Sequence, residues 1–99
     1  MILYNVTLAV EPSISKEWLA WMKNIHIKEV MGTGLFESYS MYEVLLQKED
    51  TITYSVQYFT SSLAKLQQYQ AKFASDLQAK HIAQFGDKVI AFRTVLESV

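Results

Sequence analysis

The sequence contains no cysteine, and this absence excludes three kinds of site. The chain can form no disulfide, no thiolate metal site and no cysteine nucleophile. It also lacks a glycine-rich phosphate loop, because Gly32 and Gly34 follow a predicted helix instead of preceding one. With only one proline and three glycines, it shows no linker, repeat or low-complexity segment. The 99 residues are therefore predicted to form a single domain, 1–99.

An excess of charge of either sign is also absent. Nine Lys and Arg residues stand against ten Asp and Glu residues, which gives a formal net charge of −1. A nucleic-acid-binding protein normally presents a basic face, so we expect no nucleic-acid partner. The apolar N-terminus, MILYNVTLAV, has no Lys or Arg before it and is too short to span a bilayer. We interpret it as a strand and expect a cytoplasmic protein with no membrane partner.

What the sequence does contain is a succession of apolar patterns that predicts six elements. Strand-like alternation occurs in four segments: 1–10, 35–46, 52–59 and 89–96. Helical spacing runs from Ser15, a predicted N-cap, to Gly32, and from the hydroxyls at 60–62 to Phe85. The polar segment 48–50 is predicted to be a turn. The order β-α-β-β-α-β, with right-handed crossovers, predicts an α+β, ferredoxin-like fold: a four-stranded antiparallel sheet with two helices on one face.

Two helices can cover only one face of this sheet, yet both faces of the predicted strands carry apolar residues. We predict that one face is made of Tyr4, Val6, Leu8, Tyr54, Val56, Tyr58, Ile90, Phe92 and Leu96. The opposite face keeps Leu3, Ala9, Phe59, Val89, Ala91 and Val95. A large exposed apolar patch usually marks an interface, and twofold pairing is the commonest way to cover one. We therefore expect a homodimer whose open sheet faces pack against each other.

The two histidines are the first candidates for a functional site. His26 and His81 each lie near the end of an apolar helical stripe, and imidazole titrates near neutral pH. Either could act as a catalytic general base or as a ligand donor in a cavity. Alternatively, each could be a structural residue that packs at a helix end and bonds a free carbonyl. Two histidines without a cluster of carboxylates make a poor ligand set, so no metal is predicted.

Three further side chains are candidate ligand-binding residues. Trp21 could form a wall of a pocket, although aromatic residues at this spacing more often belong to the core. Arg93 or Gln57 could orient the ligand. Because an unpaired guanidinium is costly to bury, Arg93 is predicted to pair with Glu29 or Glu43; the alternatives are that it reaches solvent or binds an anionic ligand.

Several motifs occur together along nearly the whole chain. They are MILYNVT at the start, HIKEVMGTG at the end of the first helix, ITYSVQYF in the third strand and QFGDKVIAFRTVLE at the end. In this combination the chain resembles a family of small bacterial proteins known as a domain of unknown function, which is similar to a branch of the dimeric α/β-barrel superfamily. One departure is Lys28, where the family pattern has proline, so the helix should be less sharply broken there.

The resemblance implies a fold, a dimer and a cavity between each sheet and its helices, but no particular reaction. Superfamily relatives include cofactor-free monooxygenases, small-molecule isomerases and cyclases, haem-degrading enzymes and stress proteins. Because one fold can carry many chemistries, function has to be argued from the site. A histidine in an open apolar pocket could hold haem, but we predict no cofactor.

We therefore predict a homodimeric α/β-barrel protein whose cavity binds or transforms a small, partly apolar molecule without a cofactor. If the protein is an enzyme, His26 could support proton transfer from, or oxygenation of, an activated carbon acid. The alternative is a non-catalytic structural or interaction module with structural histidines. That alternative predicts no cavity larger than a water or two beneath Trp21.

Overall fold

The computed structural model describes residues 1–46 and 50–99, so the turn predicted at 48–50 falls outside the described residues except for Asp50. The strands and helices follow one another in the predicted order: β1 (Ile2–Val10), α1 (15–32), β2 (Ser38–Glu43), β3 (Ile52–Thr60), α2 (63–85) and β4 (Val89–Glu97). In the part of the chain that is described, no helix combines the length and the hydropathy needed to cross a membrane. The cytoplasmic location stays a prediction.

Each of the two long helices contains a π-helical turn. α1 is α-helical at Ser15–Trp21, π-helical at Met22–His26 and α-helical again at Ile27–Gly32. α2 repeats this plan with Leu63–Tyr69, the π-helical Gln70–Ala74, and Ser75–Phe85. Such turns are rare in proteins, and many of those that do occur lie at functional sites. α1 continues through Lys28 without a break, in keeping with the absence of the proline expected there.

The helix ends show where local sequence signals were sufficient. Ser62 caps α2 as expected, since its side chain accepts a hydrogen bond from a backbone N–H of the first turn at 3.2 Å. The cap predicted at Ser15 is wrong, because a 3₁₀ turn at Pro12–Ile14 precedes α1 and the Ser15 hydroxyl donates to the carbonyl of that turn at 3.0 Å. Gly34 follows the end of α1 with a φ of 77°, a conformation that favours glycine.

The sheet is antiparallel, with the strand order β2-β3-β1-β4. β1 lies at the centre and pairs along its whole length with both β3 and β4. β2, at one edge, is shorter than the predicted 35–46 and pairs with β3 only over Ser38–Glu43. The buried alternate residues of β1 and β3 meet buried helix residues such as Trp18 and Leu66, so both helices cover the same face of the sheet.

The two faces of β4 are the reverse of those predicted. Arg93 lies opposite Val6, on the side of the sheet that faces the helices, so Val89, Ala91 and Val95 share that side. Ile90, Phe92 and Leu96 instead point away from the helices and are 57%, 64% and 45% exposed. A shift of one residue exchanges the two faces of a strand, and β4 carries apolar residues on both, so its sequence alone did not decide between them.

Candidate functional site

A cavity of about 40 Å³ lies between the sheet and the two helices and opens to solvent. The central strands form its floor, and both long helices form its walls. Its apolar lining comes from Val6, Leu8, Met22, Val30 and Val56. Its polar lining consists of both histidines, Arg93, Gln78 and three tyrosines. The cavity therefore joins an apolar interior to a set of hydrogen-bonding groups.

His26 ends the π-helical turn of α1 and lies in the cavity wall. The indole ring of Trp21 stacks on its imidazole, with ring centroids 5.2 Å apart and planes inclined by 24°. Burial, and next the neighbouring His81, lower the pKa of His26 to about 4, so the ring is neutral at pH 7. Its Nδ1 atom is buried and has no hydrogen-bond partner among the described residues. Buried polar atoms are nearly always bonded, so this nitrogen is an unusual feature of the cavity wall.

His81 reaches the same cavity from α2, and its ring centroid lies 6.0 Å from that of His26. The indole N–H of Trp18 donates a hydrogen bond to His81 Nε2 at 2.9 Å. Because Nε2 accepts this bond, the proton of the neutral ring must sit on Nδ1. Burial, followed by the positive charge of Arg93, lowers the pKa of His81. Burial and Arg93 thus favour the neutral ring of His81, and the bond from Trp18 fixes its tautomer, with Nδ1–H as a donor.

Arg93 is exposed and also lines the cavity, which places its guanidinium at the mouth. The predicted ion pair with Glu29 or Glu43 is wrong. Glu29 instead accepts from Lys80 Nζ at 2.8 Å, and among residues 1–46 and 50–99 no carboxylate lies within ion-pair distance of Arg93. The ion pair between Glu29 and Lys80 could not be foreseen, because Lys80 comes from the other helix. The pair expected for Arg93 was wrong also because the face of β4 that carries Arg93 was predicted incorrectly.

Three tyrosines complete the polar lining: Tyr4, Tyr58 and Tyr69. Burial raises the pKa of each, and for Tyr4 the charge and hydrogen bonding of Arg93 act in the opposite direction. All three phenols are therefore protonated at neutral pH and able to donate hydrogen bonds. Tyr69 and Gln78 were not among the residues predicted to form the site. Gln78 lies one helical turn before His81, and this spacing was the signal that would have found it.

The structure does not bring all the candidate residues together. Trp21 lies behind His26 and meets the ring of Phe85 edge-on at 5.3 Å, so it supports the imidazole and is not itself part of the cavity lining. Gln57 is on the opposite face of the sheet, where its Nε2 donates to Ser55 Oγ at 3.3 Å. Strand alternation separates Gln57 from the cavity. The site therefore gathers His26, His81 and Arg93 without Gln57.

Within the described residues, no group of three or more His, Asp or Glu side chains has an arrangement that could hold a metal ion. Trp18 engages Nε2 of His81, and its Nδ1 carries the proton, so His26 is the histidine whose unpartnered Nδ1 could offer a lone pair. If haem were bound, His26 would be the residue to ligate its iron, and this one histidine is all that the described lining could contribute to the iron. The donor set is suited to hydrogen bonding with an organic molecule.

The family model described as "Domain of unknown function (DUF4286)" matches residues 1–99, the whole chain. The chain belongs to this family. The resemblance seen in the sequence motifs is thereby confirmed, and the match runs from the first strand of the chain to the last. No curated protein sequence matches the chain.

Solved structures show how widely the fold of this DUF4286 domain occurs. A protein of the ethyl tert-butyl ether (EthD) family from Bacillus halodurans superposes with a TM-score of 0.70 at 13% identity, covering 100% of both chains. A dimeric ferredoxin-like protein from an uncultured marine organism gives 0.72 at 14% identity, covering 99% of this chain and 94% of the other. A candidate antibiotic biosynthesis monooxygenase from Deinococcus radiodurans gives 0.65 at 16%, covering 100% and 93%. These similarities confirm the predicted ferredoxin-like fold.

Proposed function

We propose that the cavity binds a small, partly apolar molecule and that neutral His26 accepts a proton from it. The observation that supports this proposal is the buried Nδ1 of His26, which has no partner among the described residues although the imidazole lies in a cavity wall. An unsatisfied buried nitrogen costs stability, and a bound ligand would offset that cost by supplying the missing hydrogen bond. The apolar side chains of the same cavity would hold the body of the ligand.

The chemistry that fits these groups is cofactor-free proton abstraction next to a carbonyl. The C–H bond of the ligand breaks, an N–H bond forms on His26, and the electron pair moves onto the carbonyl oxygen as an enolate. The tyrosine hydroxyls keep their protons and can donate to this oxygen. In the empty cavity His26 is a weak base, but a negative charge forming beside it raises the pKa of the imidazole as the proton is transferred.

His81 has a structural role whether or not the site is catalytic. Its bond from Trp18 ties α2 to α1, which is the role expected of a structural histidine. The non-catalytic alternative applies to the whole site only if His26 is equally dispensable for binding. Whether ligand binding and exchange require His26 is therefore the test of function.

Acetophenone is a suitable probe, since it carries an aromatic body, a carbonyl and exchangeable methyl protons. In D₂O we expect the wild-type protein to accelerate deuterium exchange at the methyl group, followed by NMR, above the buffer rate. His26→Ala should lose this acceleration, whereas Gln84→Ala, an exposed change on α2, should keep it. A folded His26→Ala protein that binds acetophenone and exchanges it as the wild type does would overturn the proposal.

We further propose that the chain forms a homodimer through the outer face of its sheet. Ile90, Phe92 and Leu96 present apolar side chains there, and exposed apolar patches of this kind usually mark interfaces. One of the structural neighbours is itself named as a dimeric ferredoxin-like protein. Burying these side chains against a second copy would complete a two-sheet barrel, with a cavity on the helix side of each sheet.

A further inference from the structure

We propose that the natural ligand of the cavity is a small carboxylate with an apolar body, its carboxylate held at the mouth by Arg93 and by the Nδ1–H of His81. This inference rests on the ligand-binding part of the proposed function and adds the chemical class of the ligand. It follows from the charge, the fixed donors and the polarity gradient of the lining.

The charge of the lining is one-sided. Among the described residues, Arg93 is the cation of the lining, and no Asp or Glu side chain helps to form it. Glu29, the nearby acid of α1, is occupied by Lys80. A guanidinium without a carboxylate partner at a cavity mouth is suited to a planar anion, which it can bind through two parallel N–H bonds. A phosphate monoester carries nearly twice the charge of a carboxylate and would call for more than one cation, so a carboxylate fits better.

The hydrogen-bond donor beside Arg93 is fixed before any ligand binds. Trp18 occupies His81 Nε2 and so leaves Nδ1–H as the donating group of a neutral ring. No hydrogen bond from His81 Nδ1 to another described residue is formed, so this donor is free for a ligand. Since both histidines are neutral, Arg93 is not surrounded by further cations that would bind an anion without discrimination.

The polarity of the cavity sets the orientation of the ligand. Val56 is fully buried and Leu8 nearly so, and both lie at the floor, whereas Arg93 is exposed at the rim. An apolar body would therefore insert towards the sheet while the carboxylate stays at the mouth. This orientation leaves the atoms between the carboxylate and the apolar body beside the histidines.

Benzoate and benzamide test this inference because they share size and shape and differ in charge. Binding would be followed by NMR, using the methyl group of Met22 and the histidine ring protons as reporters. We expect benzoate to bind at least about tenfold more tightly than benzamide, the difference to shrink with added salt, and bound benzoate to raise the pKa of His81.

Arg93→Gln should reduce the affinity for benzoate to that for benzamide, and Arg93→Lys should restore part of it. Lys16→Gln, which removes the same charge from an exposed position on α1, should change neither. Equal binding of both compounds at the Met22 methyl, or a benzoate preference that survives Arg93→Gln, would overturn the carboxylate inference and leave the proposed function intact. If neither compound perturbs the cavity, both proposals fall.

Discussion

The two faces of the sheet differ in which side chains they leave without a partner. On the helix side these are polar groups, and on the outer side they are apolar side chains. On the helix side most apolar residues of the sheet are buried, while, among the described residues, His26 Nδ1 has no hydrogen-bond partner and the Arg93 guanidinium has no ion-pair partner. On the outer side the polar residues bond one another: Ser55 Oγ donates to Asn5 Oδ1 at 2.7 Å, and Asn5 Nδ2 donates to Thr7 Oγ1 at 3.1 Å. There it is the apolar side chains, with Phe92 foremost, that are left exposed.

This difference indicates what each face is suited to meet. A face with unsatisfied polar atoms in a cavity is suited to a small molecule that supplies hydrogen bonds. A face with satisfied polar atoms and exposed apolar side chains is suited to another apolar protein surface. Four kinds of change, to Phe92, Trp18, His26 and Ser55, test this distinction in order of decreasing effect.

Phe92→Asp should convert the proposed homodimer to a monomer, because it places a charge in the outer apolar patch. Sedimentation velocity of the purified protein would measure the change. Ile82→Asp is the matched control, since Ile82 is 63% exposed on α2 and Phe92 is 64% exposed on the sheet. A wild-type monomer at micromolar concentration, or equal dissociation by both variants, would contradict the assignment of the outer face as the interface.

Trp18→Phe should destabilise the protein by about 2 to 4 kcal/mol, since it removes both a buried hydrogen bond and part of a fully buried side chain. It should also raise the pKa of His81, because the bond from Trp18 is available only to the neutral ring. Denaturant unfolding and NMR titration would measure the two effects. Trp21→Phe, at a half-buried indole that makes no bond to His81, serves as the control. An unchanged His81 titration would argue against the fixed tautomer.

His26 should make the protein less stable in acid. The pKa is 6.5 for an ordinary histidine and about 4 for His26 in the fold. Between these values the unfolded chain binds a proton that the native state does not, so the free energy of unfolding decreases as the pH falls from 6.5 towards 4. The expected loss attributable to His26 is about 2 to 3 kcal/mol.

Denaturant unfolding of the wild type and of His26→Gln at pH 7 and at pH 4.5 would isolate this contribution. The variant should lose less stability than the wild type between the two pH values, because other groups titrate equally in both proteins. Parallel losses in the two proteins would mean that the imidazole is not held neutral by burial.

Ser55→Ala should have the smallest effect, about 0.5 to 1 kcal/mol, because the hydrogen bonds that it removes are only partly buried and water can replace them. The cavity-facing properties should be unaffected, including the titration of both histidines. Chemical unfolding together with an NMR titration would check both points. A shift in either histidine pKa would show that the two faces of the sheet are coupled.

Much of the fold was predictable because its signals are local. The alternation of β1 and β3, the Ser62 cap and the glycine after α1 are each encoded within a few residues. The faces of β4 were not, since Phe92 and Ala91 are both apolar and only the pairing with β1 decides which points outward.

The candidate site was predictable in its residue types but not in its connections. Both histidines and Arg93 stand out in the sequence, and the structure brings them to one cavity. Their partners come from distant parts of the chain: Trp18 meets His81 across 63 positions, and Lys80 meets Glu29 across 51. No local periodicity encodes such pairs, because they depend on how the two helices pack together.

The π-helical turns have a consequence for how this chain is compared with others. A π turn accommodates one more residue than an α turn, so it is what a helix becomes when it absorbs a single-residue insertion. A relative with an uninterrupted first helix would be offset by one position on one side of Met22–His26. Alignments of such a relative need a one-residue gap within this turn. Without it, the residue matched to His26 would be a neighbour that points to a different side of the helix.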